Sequence, residues 1–272
     1  MPVPDPPNGP ATAVPSLSLG FRSVVGVLAA VALAAGTAGA RPAEAASRRL
    51  SVVAFGDSVP SGTACGCTSF VDLYAAMVAH RTGSRVGVQN FAHQGNGNTS
   101  GDIRRQVQAP AAQAAIRGAT TVIIMVGAND FIGPFDRDRR GSCSGAGCYA
   151  STAGAVRDNV TATLQRIRSA RRTPVSVVVL DYWNVVKDGR VGRAEYGAGG
   201  MAKALNATAY ANRALHAAAQ AQHAAYVSTR TAFRGRDDRQ DPTPLLAADG
   251  DHPDARGHRR IAETVFGARP NG

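Results

Sequence analysis

Residue types able to do covalent chemistry fall in four clusters of this chain: Gly56-Asp57-Ser58, Asn90 with Gly95, Gly127-Ala128-Asn129-Asp130, and Asp249-Gly250-Asp251-His252. A serine hydroxyl is a weak nucleophile until a neighbouring base takes its proton. Histidine suits that task because its pKa lies near neutrality. Ser58 is therefore the candidate nucleophile and His252 the candidate base. Asp249, in the same short turn as His252, can reach its Nδ1 and stabilise the imidazolium. Together they would support acyl transfer, whose tetrahedral intermediate carries an oxyanion. The backbone N–H groups of Ser58 and Gly95 and the side-chain amide of Asn129 are the expected donors to it, and removing one such donor costs roughly 3 kcal/mol. An asparagine donates there without bringing negative charge.

Other residues compete for roles at the same rim. His93 is a rival base, read here as a pocket wall, and Gly97 is the nearest rival to Gly95. Tyr182 and Trp183 end an apolar run and either line an acyl or sugar pocket or belong to the core. Asp57 reads as a structural hydrogen-bonder and Asp130 as a fixer of the Asn129 loop. Asp251 is expected to point away if its turn is tight. His80, His216, His223 and His258 fall in or beside helices, where a histidine is solvent-facing or satisfied locally.

The chain must bring these clusters together. Leu50–Phe55, Arg85–Phe91, Thr121–Val126, Pro174–Leu180 and Ala224–Ser228 read as strands, largely apolar on both faces. Between and after them, Phe70–His80, Asp102–Ile116 (bent at Pro110), Ala155–Arg168, Met201–Gln222 and Pro253–Phe266 read as helices, with Pro253 in the first turn of the last. Strands alternating with helices imply one three-layer α/β domain with a parallel sheet of about five strands. Ligands bind such a sheet beyond the carboxyl ends of its strands, where all four clusters would gather. The segments 131–152, 183–200 and 229–250 read as long loops, candidate walls or lids of a pocket.

The four clusters resemble the signature blocks of the GDSL/SGNH hydrolase family, a group of secreted bacterial serine esterases and lipases. Gly56-Asp57-Ser58 is similar to its GDS block, Gly95 to the glycine of its second block, Gly127-Ala128-Asn129-Asp130 to GxND, and Asp249-Gly250-Asp251-His252-Pro253 to DxxH. Gln94–Gly101 is richer in Gly and Asn than the usual second block. The resemblance spans Leu50 to Phe266. It implies a flavodoxin-like sheet, no metal or other cofactor, and activity as an esterase, lipase or carbohydrate deacetylase. The catalytic and oxyanion roles given above are those the family assigns to the matching positions.

Composition bounds the remaining readings. With 272 residues, 44% hydrophobic and 18% charged, the chain is a folded globule and not a disordered one. Its net charge of +11 comes from arginines interspersed with aspartates, a pattern that solvates a surface; contact with an anionic surface is the functional alternative, and no nucleic-acid partner is expected. Arg22 followed by the apolar run Val24–Ala35 and small residues reads as a secretory leader. Residues 1–46 are thus expected to be signal peptide and pro-region, and 47–272 the hydrolase domain. The run is too short for a stable membrane anchor. Cys65, Cys67, Cys143 and Cys148 read as two disulfides of an exported protein. Three connectivities are open. Cys143–Cys148 closes easily, whereas its complement Cys65–Cys67 closes a one-residue loop, a strain that cross-pairing avoids. No histidine stands at ligand spacing in sequence, so no metal is expected. The expected function is hydrolysis of a small-molecule or polysaccharide ester through an acyl-Ser58 intermediate by a secreted, extracellular monomer. The alternatives are an acyltransferase with the same triad and a catalytically silent carbohydrate- or lipid-binding module.

Overall fold

The computed structural model describes residues 49–93, 99–171 and 173–268. The leader and pro-region expected over 1–46 lie outside them, as do Gly95 and Gly97. In chain order the elements are β1 (Leu50–Gly56), α1 (Ser58–Ser61), α2 (Phe70–Thr82), β2 (Val86–Asn90), α3 (Ser100–Gln106), α4 (Pro110–Gly118), β3 (Thr121–Met125), α5 (Ile132–Arg139), α6 (Gly145–Ser169), β4 (Ser176–Leu180), α7 (Gly189–Ala221), β5 (Ala225–Val227), α8 (Thr229–Arg234) and α9 (Ala255–Gly267).

The strands form one five-stranded sheet, ordered β2-β1-β3-β4-β5, with every pair parallel. This is the flavodoxin-like order, and its switch point lies between β1 and β3. β3 is buried at all five positions and β4 at all but Ser176, because helices cover both faces. α2 packs on α9, and α6 packs on α7 and α3. Each fully buried Val, Ile or Leu of the strands contributes about 1.5–3 kcal/mol of transfer free energy. β2 departs from the expectation of strands buried on both faces: it is an edge, and Gly87, Gln89 and Asn90 are exposed.

The helices are longer and more numerous than the sequence pattern suggests. The expected helix 102–116 is two, α3 and α4, broken before Pro110, where proline cannot donate to the preceding turn. Two of the expected long loops are largely helical. α5 and the first turns of α6 occupy 132–154, and α7 begins at Gly189 with a break at Gly197, φ 62°. Glycine-rich sequence disguised these turns; buried Phe135, Cys148 and Tyr149 hold them. α9 starts one turn edge later than expected. Asp254, not Pro253, governs its start, accepting the Arg256 and Gly257 N–H groups at 2.8 Å, an N-cap worth roughly 1 kcal/mol.

The disulfides join Cys65 to Cys67 and Cys143 to Cys148, with Cα separations of 5.0 and 5.3 Å. This is the connectivity that the loop-strain argument disfavoured. The glycine between the first pair takes a positive φ of 59° and the preceding Ala64 one of 61°, so a tight left-handed turn closes the small ring. Among the described residues no helix is long and apolar enough to cross a membrane.

Candidate active site

β1 delivers Ser58 to the carboxyl edge of the sheet. Its last residue, Gly56, runs so close to β3 that a Cβ there would lie 2.1 Å from the Met125 carbonyl oxygen, which is why glycine ends this strand. Asp57 then caps the one-turn α1, accepting the Val59 N–H at 3.1 Å. Its other carboxylate oxygen accepts the Tyr182 hydroxyl. Asp57 is 1% exposed, and burial pushes its carboxyl up to about 7, although the Tyr182 and Val59 hydrogen bonds offset part of that rise. It is therefore a buried anchor of the nucleophile segment, as its sequence position suggested.

The turn before α9 delivers the base. Gly250 has φ 71°, and a Cβ there would stand 2.4 Å from Val191 Cβ, so only glycine fits against α7. The Asp188 N–H donates to the Gly250 carbonyl at 2.7 Å, tying the turn to the start of α7. Asp249 Oδ1 accepts the N–H groups of Asp251 (3.0 Å) and His252 (3.1 Å). Its Oδ2 accepts from His252 Nδ1 at 2.7 Å. Burial alone raises the Asp249 carboxyl, but these three hydrogen bonds outweigh it and leave the group below the usual carboxylate range. Asp249 thus stays ionised, keeps the proton on Nδ1, and turns the Nε2 lone pair outward. Ser58 Oγ lies 2.9 Å from that Nε2, within proton-transfer reach.

Asn129 opens a short 3-10 turn directly after β3. Asp130 pins that turn to α3, accepting from the Ser100 N–H at 2.9 Å and the Ser100 hydroxyl at 2.7 Å. The Asn90 amide donates to the Pro60 carbonyl at 2.7 Å, so the end of β2 supports α1 from the other side. Ser58, Asn129 and His252 line one cavity of about 160 Å³. The arrangement can activate a hydroxyl, hold the resulting imidazolium and place an amide beside the same space.

Tyr182 and Trp183 both line this cavity, yet each is 1% exposed. Trp183 stacks on Phe233 with centroids 4.3 Å apart, so these rings form the pocket floor and core at once. His93 follows β2 with its backbone N–H on the Gly56 carbonyl at 3.3 Å. It is exposed and is not one of the residues lining the cavity. Asp251, expected to point away, lines it. Lys187, Tyr196 and Ile132 also line it and were not legible in the sequence, because they come from segments that read as loops.

His258 is fully buried, with Nδ1 accepting the Phe70 N–H at 3.2 Å. The fold brings it near Cys65 and Cys67, with ligand atoms of all three within 4.8 Å of one another, a proximity the sequence spacing concealed. The sulfurs are joined to each other, and a disulfide offers no thiolate to a metal.

The chain matches the model of the GDSL-like lipase/acylhydrolase family over residues 54–260. No curated protein matches it. Among solved structures it is similar to the lipase Lip_vut3 from a goat rumen metagenome, with TM-score 0.67 and 20% identity over 80% of this chain and 97% of that one. It is also similar to a catalytic mutant of Axe2, an acetylxylan esterase from Geobacillus stearothermophilus, with TM-score 0.56 and 16% identity over 80% and 93% of the two chains. TesA gives TM-score 0.51 and 19% identity over 80% and 97%. At these identities the likeness is one of fold.

Proposed function

The chain belongs to the GDSL-like lipase/acylhydrolase family and is a carboxylic ester hydrolase; from that premise we propose that it works through an acyl-Ser58 intermediate and acts outside the cell. The observation that carries the mechanism is the continuous hydrogen-bonded chain from Ser58 Oγ to His252 Nε2 (2.9 Å) and from His252 Nδ1 to Asp249 (2.7 Å).

In this mechanism Ser58 Oγ attacks the ester carbonyl carbon as its proton passes to His252 Nε2. The carbonyl oxygen becomes an oxyanion, met by the Ser58 N–H and the Asn129 amide. Asp249 stabilises the imidazolium without taking its proton. The imidazolium then protonates the departing alcohol oxygen, leaving an acyl ester on Ser58. Water attacks that ester as His252 removes its proton, and the acid leaves with Ser58 restored. Positioned base catalysis of this kind contributes on the order of 10²–10⁴ in rate.

Export is supported by the leader-like segment Arg22 to Ala45 in the sequence and by the pairing of all four cysteines, which suits an oxidising compartment. Fluorophosphonate labelling with peptide mapping tests the nucleophile directly. The label is expected on the peptide containing Ser58 and to be absent from Ser58→Ala. Labelling elsewhere, or none on folded protein that hydrolyses esters, would end this reading.

A further inference from the structure

A second cavity adjoins the catalytic one. Arg139, Arg140, Tyr196, Gly199, Gly200 and Lys203 line an open space of about 420 Å³, and the Tyr196 ring also lines the catalytic cavity. Among the described residues no carboxylate lines this second space. Arg139 is held at the dividing wall, its guanidinium 5.1 Å from the Tyr196 ring centre and 5.7 Å from that of Phe135. Lys203 is fixed from below, its Nζ 2.5 Å from the Asp138 carbonyl oxygen and 3.3 Å from its carboxylate. Arg140 forms no ion pair among the described residues.

The nearby acids cancel only part of this charge at the cavity. Asp138 is buried, accepts the Tyr149 hydroxyl at 2.7 Å and pairs with Lys203 at 3.3 Å, so it offsets Lys203 rather than the arginines. Asp136 meets Arg139 only at 4.0 Å, on the surface, where such a pair is weak. Glu195 is engaged with Lys187 at 2.6 Å. A cleft lined by one sign of charge concentrates counter-ions. The catalytic cavity is smaller, about 160 Å³, and Lys187, a cation lining it, is already paired with Glu195 at 2.6 Å. A negative group on a substrate is therefore held best beyond Tyr196.

We propose that the second cavity is an anion subsite: the substrate is a short-acyl ester whose alcohol part carries a carboxylate or phosphate, held by Arg139, Arg140 and Lys203 while the ester carbonyl lies at Ser58. This rests on Ser58 being the nucleophile. The arginines on the outer side then fix which way round the substrate lies.

The test compares two pairs of esters by acetate release: acetylated glucuronic acid against acetylated glucose, and acetylated glycerophosphate against acetylated glycerol. The charged member of at least one pair is expected to have about 10-fold higher kcat/KM at low salt, an advantage that shrinks as ionic strength rises. A preference confined to one pair tells a sugar acid from a phosphate. In Arg139→Gln/Arg140→Gln the charged-to-neutral ratio is expected to fall to about 1, and in Arg140→Lys alone to persist. Taking the ratio within one preparation separates recognition from any loss of folded protein. Equal kcat/KM within both pairs, or a ratio that survives the double substitution, overturns the proposal. Loss of turnover on all four esters and on 4-nitrophenyl acetate would overturn the Ser58 reading beneath it.

Discussion

Tyr182, just beyond β4, donates its hydroxyl to the Asp57 carboxylate, and the other oxygen of that carboxylate caps the helix bearing Ser58. Both residues are 1% exposed, so water cannot replace the bond if it is lost. Tyr182→Phe leaves a buried acceptor short of a donor, which costs about 1–3 kcal/mol. The expected result is a fall in unfolding free energy of that amount, read as a lower denaturant midpoint at unchanged m, with kcat reduced far less than by removal of Ser58. Unchanged stability would show that the bond does not anchor the nucleophile turn.

Ser58→Ala is expected to lower kcat by about 10⁴-fold or more without loss of the fold. Asn129→Ala removes one oxyanion donor and is expected to cost about 10²–10³ in kcat. Steady-state kinetics on 4-nitrophenyl acetate, with circular dichroism as the folding check, measure both. Near-wild-type turnover in either variant would remove that residue from its role.

Asp249→Asn keeps the size of the side chain but ends the ionised acceptor at His252 Nδ1. The imidazole then adopts the tautomer with its proton toward Ser58, and the base is lost. A fall in kcat of about 10³–10⁴ is expected with little change in thermal midpoint. A tenfold effect or less would mean that another group orients the ring.

The parts of this molecule that the sequence displayed are those made by uninterrupted local patterns. Val122 to Met125 and Val177 to Leu180 are apolar throughout because helices cover both faces of β3 and β4, and such runs read directly as buried strands. Ser58, Asn129 and His252 were legible because each follows or precedes such an element on one sheet edge. The pocket walls were not. Lys187 and Tyr196 stand in a segment with Gly189, Gly192 and Gly197, whose composition is that of a loop; contacts of Gly192 and Gly250 with Lys187 and Val191 hold it in place. Gly199 and Gly200, which line the cationic cavity, carry no side chain to signal a ligand. His258 and the Cys65–Cys67 pair meet only through the packing of α2 on α9, a long-range contact with no local pattern.

The disulfide pairing is open to a direct check. Digestion without reduction is expected to give Cys65–Cys67 and Cys143–Cys148 links, each within one peptide, and no peptide joining the two regions. Both loops are short, so chain entropy sets the contribution of each bond at about 2 kcal/mol. Cys143→Ser/Cys148→Ser is expected to lose that amount in urea unfolding. A cross-linked peptide joining the two regions would displace this connectivity.

Asp57 and His258 give the stability opposing dependences on pH. Burial raises the Asp57 carboxyl from 3.8 to about 7. Between those values the folded protein keeps a proton that the unfolded chain releases, so stability is lost as pH rises through that range. Burial lowers His258 from 6.5 to about 4. Between those values the unfolded chain binds a proton that the folded protein refuses, so stability is lost as pH falls through that range. Across their shared window the two slopes oppose each other in the wild type, and single substitutions separate them. The stability of Asp57→Asn relative to wild type is expected to rise between about pH 4 and 7, and that of His258→Gln to fall between about pH 4 and 6.5. Urea midpoints measured across a pH series read both differences. Three parallel profiles would show that neither group is buried in the state assigned to it, and Asp57 would then cease to be a neutralised anchor behind Ser58.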